Sequence, residues 1–350
     1  MRTFLLITAI FCGTIAAAAQ SEPLTQQEYV KLLYAADNAA ARAELIDALR
    51  SRGISFAVTD GLRSLTRTKS GNDAELRRAL DEADRRRRNP EASRVPNAAE
   101  AAALLTRARQ ATLDAVEEMP DFVVKQQIQR SASFAGTGNF RNLDRLVVAV
   151  SYRSSGEETY KLLSKNGAIE PNPQEKRSYE EAGGTSSTGE FVTVLATIFK
   201  PESKTEFKVV DTDEIRGRRS IAFDFSIDKE HAKQLVTAAG VTTETAVTGM
   251  KGRLWIDRET ARVLRIESEA TDLPEGFPIS SARRTIDYDW TEIAGERYLL
   301  PLLSDVRLTV RERGNRYETR NVIRFRDYQK FGSEVIIRDD DISPDENQKP

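Results

Sequence analysis

The sequence predicts an α+β protein: a small all-α domain, then a larger antiparallel β domain in which helices cover one face of a curved sheet. Three observations predict it. Residues 21–88 carry apolar side chains at helical spacing behind capping signals. From residue 122 to residue 338, short runs alternate apolar and polar side chains as half-buried strands do. Residues 252–270, GRLWIDRETARVLRIESEA, read as one β-hairpin. Its side chains should segregate, because successive residues of a strand point to opposite faces. Leu254, Ile256, Leu264 and Ile266 are expected on one face, with Arg253, Asp257, Arg265, Glu267 and Glu269 on the other, and residues 257–261 supply the polar turn.

The 350-residue chain opens with an export signal over residues 1–19: basic Arg2, an apolar stretch at 4–15, then small residues at 16–19. An apolar run of roughly a dozen residues is shorter than the roughly 20 a spanning helix needs, and no later stretch is long and apolar enough to anchor the chain. A periplasmic or secreted protein without an integral membrane segment is expected. Cys12, the only cysteine, lies in the signal, so the mature chain has no thiol for a disulfide, a metal site or nucleophilic attack.

Charge narrows the partners further. The chain has 52 basic and 54 acidic residues, and a sum so close to zero supplies no field for collecting phosphates, which argues against nucleic acid. With 39% hydrophobic residues the chain can bury a core of two unequal domains, and a monomer is expected.

The elements follow in order. Thr25 and Glu28 have capping-box spacing before Tyr29, Leu32, Leu33 and Ala36. A second helix is expected over 42–50, stopped by Gly53, a third over 60–68, and a fourth opened by Asn72 and Glu75 and carrying Leu76, Ala79 and Leu80. The four arginines at 85–88 complement a helix C-terminus; they read as a solvated helix end or, alternatively, as a contact for anionic lipid or an acidic partner. Residues 89–97, with Pro90 and Pro96, read as a linker, because proline restricts its predecessor away from helix. Residues 21–88 thus form a helical domain and 98–338 the β domain.

The β domain opens with an amphipathic helix over 98–119, striped by Leu104, Leu105, Ala108, Ala111, Thr112 and Ala115 and ended by Pro120. Strands are expected at 122–132, 143–153 and 157–165. The loop AGGTSSTG at 182–189 then leads into a helix over 188–200, with Ser187 and Glu190 at capping-box spacing and Phe191, Val194, Leu195 and Ile198 on its buried side. Strands at 206–211 and 219–226, a short helix at 231–239, the hairpin, and strands at 284–293, 303–311, 317–326 and 333–338 complete the domain. The tail 339–350, acidic and then rich in Pro, Asn and Gln, is expected to be disordered.

Catalytic constellations are scarce. His231 is the only histidine and lies in a helical context, DKEHAKQL, without a nucleophile elbow, so neither a Ser-His-Asp triad nor a zinc centre can be assembled around it. The loop at 182–189 presents glycines ahead of a helix but lacks the Gly-Lys-Ser/Thr ending of a phosphate loop; it serves better as a cap or as a lid carrying Gly183, Gly184, Phe191 and Leu195. Asp287 and Asp289 share a strand face and resemble a glycosidase pair, yet alternation with Ile286, Tyr288 and Trp290 places them in solvent. The three aspartates at 339–341 lack the further ligands of a calcium loop. No cofactor or metal is expected. Phe223, Phe225, Tyr288 and Trp290 alternate with charge and extend the apolar face, which is either packed under helices or left open as a groove.

Residues 98–338 resemble the LolA-like superfamily of exported bacterial proteins, especially in KGRLWIDRETARVLRIE (251–267) and YLLPLLSDVRL (298–308). That superfamily includes outer-membrane lipoprotein-sorting carriers and RseB-type periplasmic sensors. Residues 44–65, ELIDALRSRGISFAVTDGLRSL, resemble helical modules that precede various secreted bacterial domains. The resemblance implies a strongly curved, unclosed half-barrel with helices on its concave face, and non-catalytic binding of lipid or lipoprotein. The expected partner is an apolar ligand, a lipid or acyl chain, held by Leu254, Ile256, Leu264, Ile266, Phe223, Phe225, Tyr288 and Trp290. The alternatives are an envelope sensor or scaffold with a plugged barrel that binds another envelope protein, and, third, a hydrolase of envelope polymers.

Overall fold

A computed structural model of the chain describes residues 22–91, 93–169, 189–191, 193–239, 243–312 and 314–331. The signal segment 1–19, Gly183, Gly184, Ser187, the strand expected at 333–338 and the tail lie outside them. The chain divides between Arg94 and Val95 into two compact units.

The first unit is four helices, each started by a side chain that accepts a bond from an otherwise orphaned backbone N–H. Thr25 caps α1 (Gln26–Ala35), Asn38 caps α2 (Ala39–Arg52), Thr59 caps α3 (Asp60–Lys69) and Asp73 caps α4 (Ala74–Arg88). The cap of α4 is Asp73 rather than Asn72, whose left-handed backbone (φ 65°) puts it in the preceding turn. Gly53 ends α2 at φ 70°. Leu24, Tyr29, Leu33, Leu49, Leu76 and Leu80 fill the core. Within it the Tyr29 hydroxyl bonds Thr66 Oγ1 at 2.8 Å, and burial pushes its pKa up to about 12. The arginines of α4 are not a free solvated end. Arg85 pairs with Glu82 at 2.6 Å and Arg87 with Asp84 at 3.0 Å, because both carboxylates are buried and need charge partners, while Arg86 donates to the Arg50 carbonyl at 2.7 Å.

The second unit begins with α5 (Ala98–Glu117), which Asn97 and Glu100 start with a reciprocal capping box. Strands β1 (Phe122–Phe134), β2 (Arg141–Tyr152), β3 (Glu158–Lys165) and β4 (Ala168–Ile169) follow, then α6 (Thr193–Phe199). Next come β5 (Glu206–Ile215), β6 (Arg218–Ile227), the four-residue α7 (Lys229–Ala232), β7 (Gln234–Ala239) and β8 (Thr243–Asp257). The last four strands are β9 (Val263–Thr271), β10 (Ile279–Ile293), β11 (Glu296–Glu312) and β12 (Asn315–Lys330). All pair antiparallel in the order β4-β3-β2-β1-β12-β11-β10-β9-β8-β6-β5, with β7 attached to the first half of β8. Among the described residues β4 and β5 do not pair with each other, so the curved sheet is an unclosed half-barrel.

Two expected elements differ. The helix expected at 231–239 ends at Ala232, the last residue of α7: Leu235, Val236 and Thr237 belong to β7, whose ladder runs from Gln234 opposite Thr248 to Ala239 opposite Thr243. Pairing with β8 overrides local helical preference, as the β-branched content allows. The helix expected at 188–200 starts only at Thr193, and Glu190 sits in the turn before it instead of capping it.

The core of the half-barrel lies on its helix-covered face. Leu104 and Ala108 of α5 and Val194, Leu195, Ile198 and Phe199 of α6 pack on Phe223, Phe225, Leu254, Ile256, Ile266, Ile286 and Tyr288. A second cluster gathers around Phe191, whose ring meets Phe122 at 5.3 Å and Phe325 at 5.5 Å in edge-on geometry.

Candidate functional site

The apolar face is closed where the sequence suggested a groove. Leu254, Ile256, Ile266, Phe223, Phe225 and Tyr288 are each at most 3% exposed and lie under α5 and α6. Phe191 and Leu195 are likewise core side chains. Trp290 is half-buried, with the Arg297 and Arg262 guanidinium groups 5.3 and 5.9 Å from its ring.

Leu264 is on the opposite face. A register shift sets Ile256 across from Val263 but Trp255 across from Arg265, so Leu264 becomes the extra residue of a bulge. Val263 takes the inner place, and Leu264 joins Ile215, Ala222 and Trp255 in a small outer cluster. That outer face holds a network of charges. Trp255 Nε1 donates to Asp213 at 3.0 Å, and Asp287 accepts from Arg265 at 2.8 and 2.9 Å and from Arg216 at 3.1 Å. Asp287 is therefore buried and engaged, whereas Asp289 remains exposed beside Arg216 at 3.6 Å. The aspartate pair does not form a pair of free acids.

The open volume lies further along the same inner face. Neighbours in a ladder share a face, and Ser268 lies opposite Arg284, Arg284 opposite Val306, and Ala282 opposite Leu308, so these side chains continue the surface on which Ile266 and Ile286 lie. They line a cavity of about 740 Å³. Thr193, Val194 and Thr197 of α6, together with the start of β7 from Gln234 to Thr237, form another side of it, and Glu158, Tyr160 and Gly189 another.

One end of this cavity is polar. The Glu158 carboxylate accepts the Tyr160 hydroxyl and, at 3.2 Å, the Gly189 N–H. Burial pushes the Glu158 pKa up; its hydrogen bonds to Tyr160 and Gly189 and the charge of Arg284 pull against that. Burial also raises Tyr160, reinforced by the negative charges of Glu190 and Glu158. Glu190 is fully buried, and Tyr288 and Tyr328 also feel its charge, each with a pKa pushed above the ordinary phenol range first by burial. Glu158 Oε1 is buried without a hydrogen-bond partner among the described residues. A carboxyl group held toward its protonated form can both donate and accept, and beside a guanidinium it suits a polar or charged ligand end.

Across the sheet from Arg284 the same row continues through Val306 and Asn321 to Arg130 and Asp144. Arg130 Nε binds Asp144 at 2.6 Å and holds its carboxyl below the usual range. Sequence reasoning missed Glu158, Tyr160 and Arg284. The signal was a charged residue on apolar parity: Glu158 falls in step with Tyr160 and Leu162, and Arg284 in step with Ile286 and Tyr288.

No group of three or more His, Cys, Asp or Glu placed to hold a metal ion occurs among the described residues. His231 Nδ1 lies 2.7 Å from Asp228, the cap of α7. No helix of the described residues is long and apolar enough to cross a membrane.

No family model matches the chain, and no curated protein matches it. The solved structures it is similar to include two kinds. One is a DUF1329 family protein from Desulfovibrio piger, 9% identical, with a TM-score of 0.27 over 66% of this chain and 95% of that one. The other is MucB with MucA: the Pseudomonas aeruginosa complex at 9% identity and TM-score 0.18 over 62% of this chain and 94% of that one, and MucB with MucA(peri) at 10% and 0.18 over 62% and 92%. At these scores the likeness decides nothing about activity, and the half-barrel stands on the strand order and register of the chain itself.

Proposed function

We propose that this is an exported, non-enzymatic binding protein that holds an amphipathic ligand, a lipid or lipoprotein acyl chain, in its half-barrel. The carrying observation is the cavity of about 740 Å³ in which Val194, Val236, Met250, Val306 and Leu308 alternate with polar side chains such as Thr193, Thr197 and Ser268, with Glu158, Tyr160 and Arg284 among its charged and polar groups. Ligand sites typically occupy about 300–1,000 Å³ and combine apolar lining with a few placed polar groups. The ligand contacts are thereby assigned to this cavity instead of to Leu254, Ile256, Ile266 and their neighbours under α5 and α6. Export rests on the signal at residues 1–19. Mass spectrometry of protein purified from its native host should find lipid, and Leu308→Arg, which puts a charge among the apolar side chains, should remove it. Absence of lipid from the native protein, together with no binding of a fluorescent acyl probe, refutes the proposal.

A second reading, an envelope sensor or scaffold, is favoured by the sealed apolar face under α5 and α6. In it the protein contacts another envelope protein and the cavity stays empty. Capture of a defined envelope partner by the Leu308→Arg variant as efficiently as by the parent supports that reading over the carrier. The engagement of Asp287 by two arginines removes the support for hydrolysis by the aspartate pair.

A further inference from the structure

We propose that the cavity takes a single-chain lipid whose head is uncharged and bears hydroxyl groups, as a monoacylglycerol does. The inference deepens the carrier reading and rests on it. Two lining side chains carry an acceptor oxygen that is buried and has no hydrogen-bond partner among the described residues: Glu158 Oε1 and Gln234 Oε1. They come from separate elements, β3 and the first position of β7. Glu158 uses its other oxygen to accept the Tyr160 hydroxyl and the Gly189 N–H. At Gln234 the Thr248 hydroxyl donates to the backbone carbonyl, at 3.4 Å, and leaves the side-chain amide unserved. Buried acceptors left unmet are costly, and native proteins rarely keep them. Both residues line the cavity, so a ligand entering it is placed to supply the missing donors.

The unmet oxygens select a donor, and the surrounding charges decide its kind. A carboxylate or phosphodiester head has no proton to give at neutral pH and would set its lone pairs against theirs. Its charge would also join two acids, Glu158 and the fully buried Glu190, whose field reaches Glu158. An ammonium head can donate, but Lys233, Arg283 and Arg284 also line the cavity. Neither sign is in surplus. Arg284 acts on Glu158 against Glu190, and Arg283 pairs with Glu269 at 3.3 Å. Lys233 is exposed and follows α7, which brings its own acids, Asp228 and Glu230. A charged head would therefore enter a balanced set and find no counter-charge of its own, which burial penalises. A hydroxyl adds no charge, and because it both donates and accepts it serves the Gln234 amide in either orientation. The volume of about 740 Å³ lies within the range of sites that hold one small ligand, which suits one chain and not a multiply acylated lipid.

The test is competition for a fluorescent acyl probe on the purified full chain by three ligands of equal chain length: monolauroylglycerol, laurate and dodecylammonium, each below its micelle-forming concentration. Monolauroylglycerol should displace the probe at about tenfold lower concentration than either charged ligand, the scale of one or two net hydrogen bonds. Gln234→Leu and Glu158→Leu should each bring the three ligands to within about threefold of one another, while Leu143→Glu, at a 63% exposed site on β2, should keep the preference of the parent. Glu158→Leu also releases Gly189, so tryptophan fluorescence checks its folding, and Gln234→Leu, which removes no side-chain bond seen among the described residues, carries the test if that variant does not fold. Laurate or dodecylammonium competing as well as monolauroylglycerol overturns the inference, and so does a Gln234→Leu variant with the full preference of the parent. In those cases the probe still binds and the carrier reading stands. A parent that binds neither the probe nor any of the three ligands overturns the carrier reading and the inference with it.

Discussion

Replacing Leu254 by alanine separates a core residue from a ligand contact. Leu254 is fully buried, flanked in the ladder by Phe223 and Ile266, and shares one cluster with Leu195 and Ile198 of α6. The substitution deletes three carbon atoms from a site whose neighbours are held by two strands and a helix, so collapse is limited. Transfer and cavity contributions together cost about 3–4 kcal/mol. For a unit of this size, each kcal/mol corresponds to roughly 2–4 °C, so Tm should fall by about 10 °C. The two tryptophans, Trp255 and Trp290, both belong to the second unit, so their fluorescence during heating reports that unit without the four-helix unit. Ligand retention measured below the transition should be unchanged. A Tm within about 2 °C of the parent, with bound acyl probe lost, would mean that Leu254 lines an open groove and that the closed-face reasoning is wrong.

Three further outcomes follow from particular contacts. A Cβ at Gly252 would stand 1.9 Å from the Glu267 carbonyl oxygen and 2.9 Å from Ser268 Cα, both backbone of β9, so Gly252→Ala should force the strands apart and cost about 3 kcal/mol in urea unfolding; a midpoint equal to the parent's counts against the register. Glu158 has a folded pKa above its ordinary value of 4.5, so the native state binds the proton more tightly and stability should decline as pH rises from 4.5 through that folded pKa, then level off. Glu158→Gln should flatten this slope in a Tm series across that window; superimposable profiles would contradict it. Asp287→Ala removes the buried carboxylate that pairs with Arg216 and with Arg265, whose guanidinium lies 6.0 Å from the Trp255 ring, and should cost about 3 kcal/mol, with a shifted Trp255 emission, whereas Asp289→Ala should change stability by under about 0.5 kcal/mol.

Local rules made much of this fold readable. Thr25 and Gly53 act at helix ends where their chemistry places them, and the alternation in 252–257 gave the correct inward side for Leu254 and Ile256. What alternation cannot see is an inserted residue: the bulge beside Ile256 reversed Leu264, because one extra residue moves a side chain to the other face. Nor can it see partners distant in sequence. Asp287 looked solvent-facing until Arg216, 71 residues earlier, closed over it. The strand at 234–239 was mistaken for a helix because its partner lies beyond the turn, and the cavity went unseen because Glu158 and Arg284 meet only through curvature.

The strand order has a consequence for how the chain is made. β1 sits inside the sheet between β2 and β12, and Phe122 pairs with Lys330, so its second neighbour is synthesised about 200 residues later, a separation that slows folding through the entropy of closing so long a loop. Until the last strand emerges, β1 and β11 each present an unsatisfied edge, and the half-barrel cannot close its hydrogen-bond ladder. The sheet of the second unit can therefore reach its native pairing only when nearly the whole chain has been made, whatever its earlier strands have already formed.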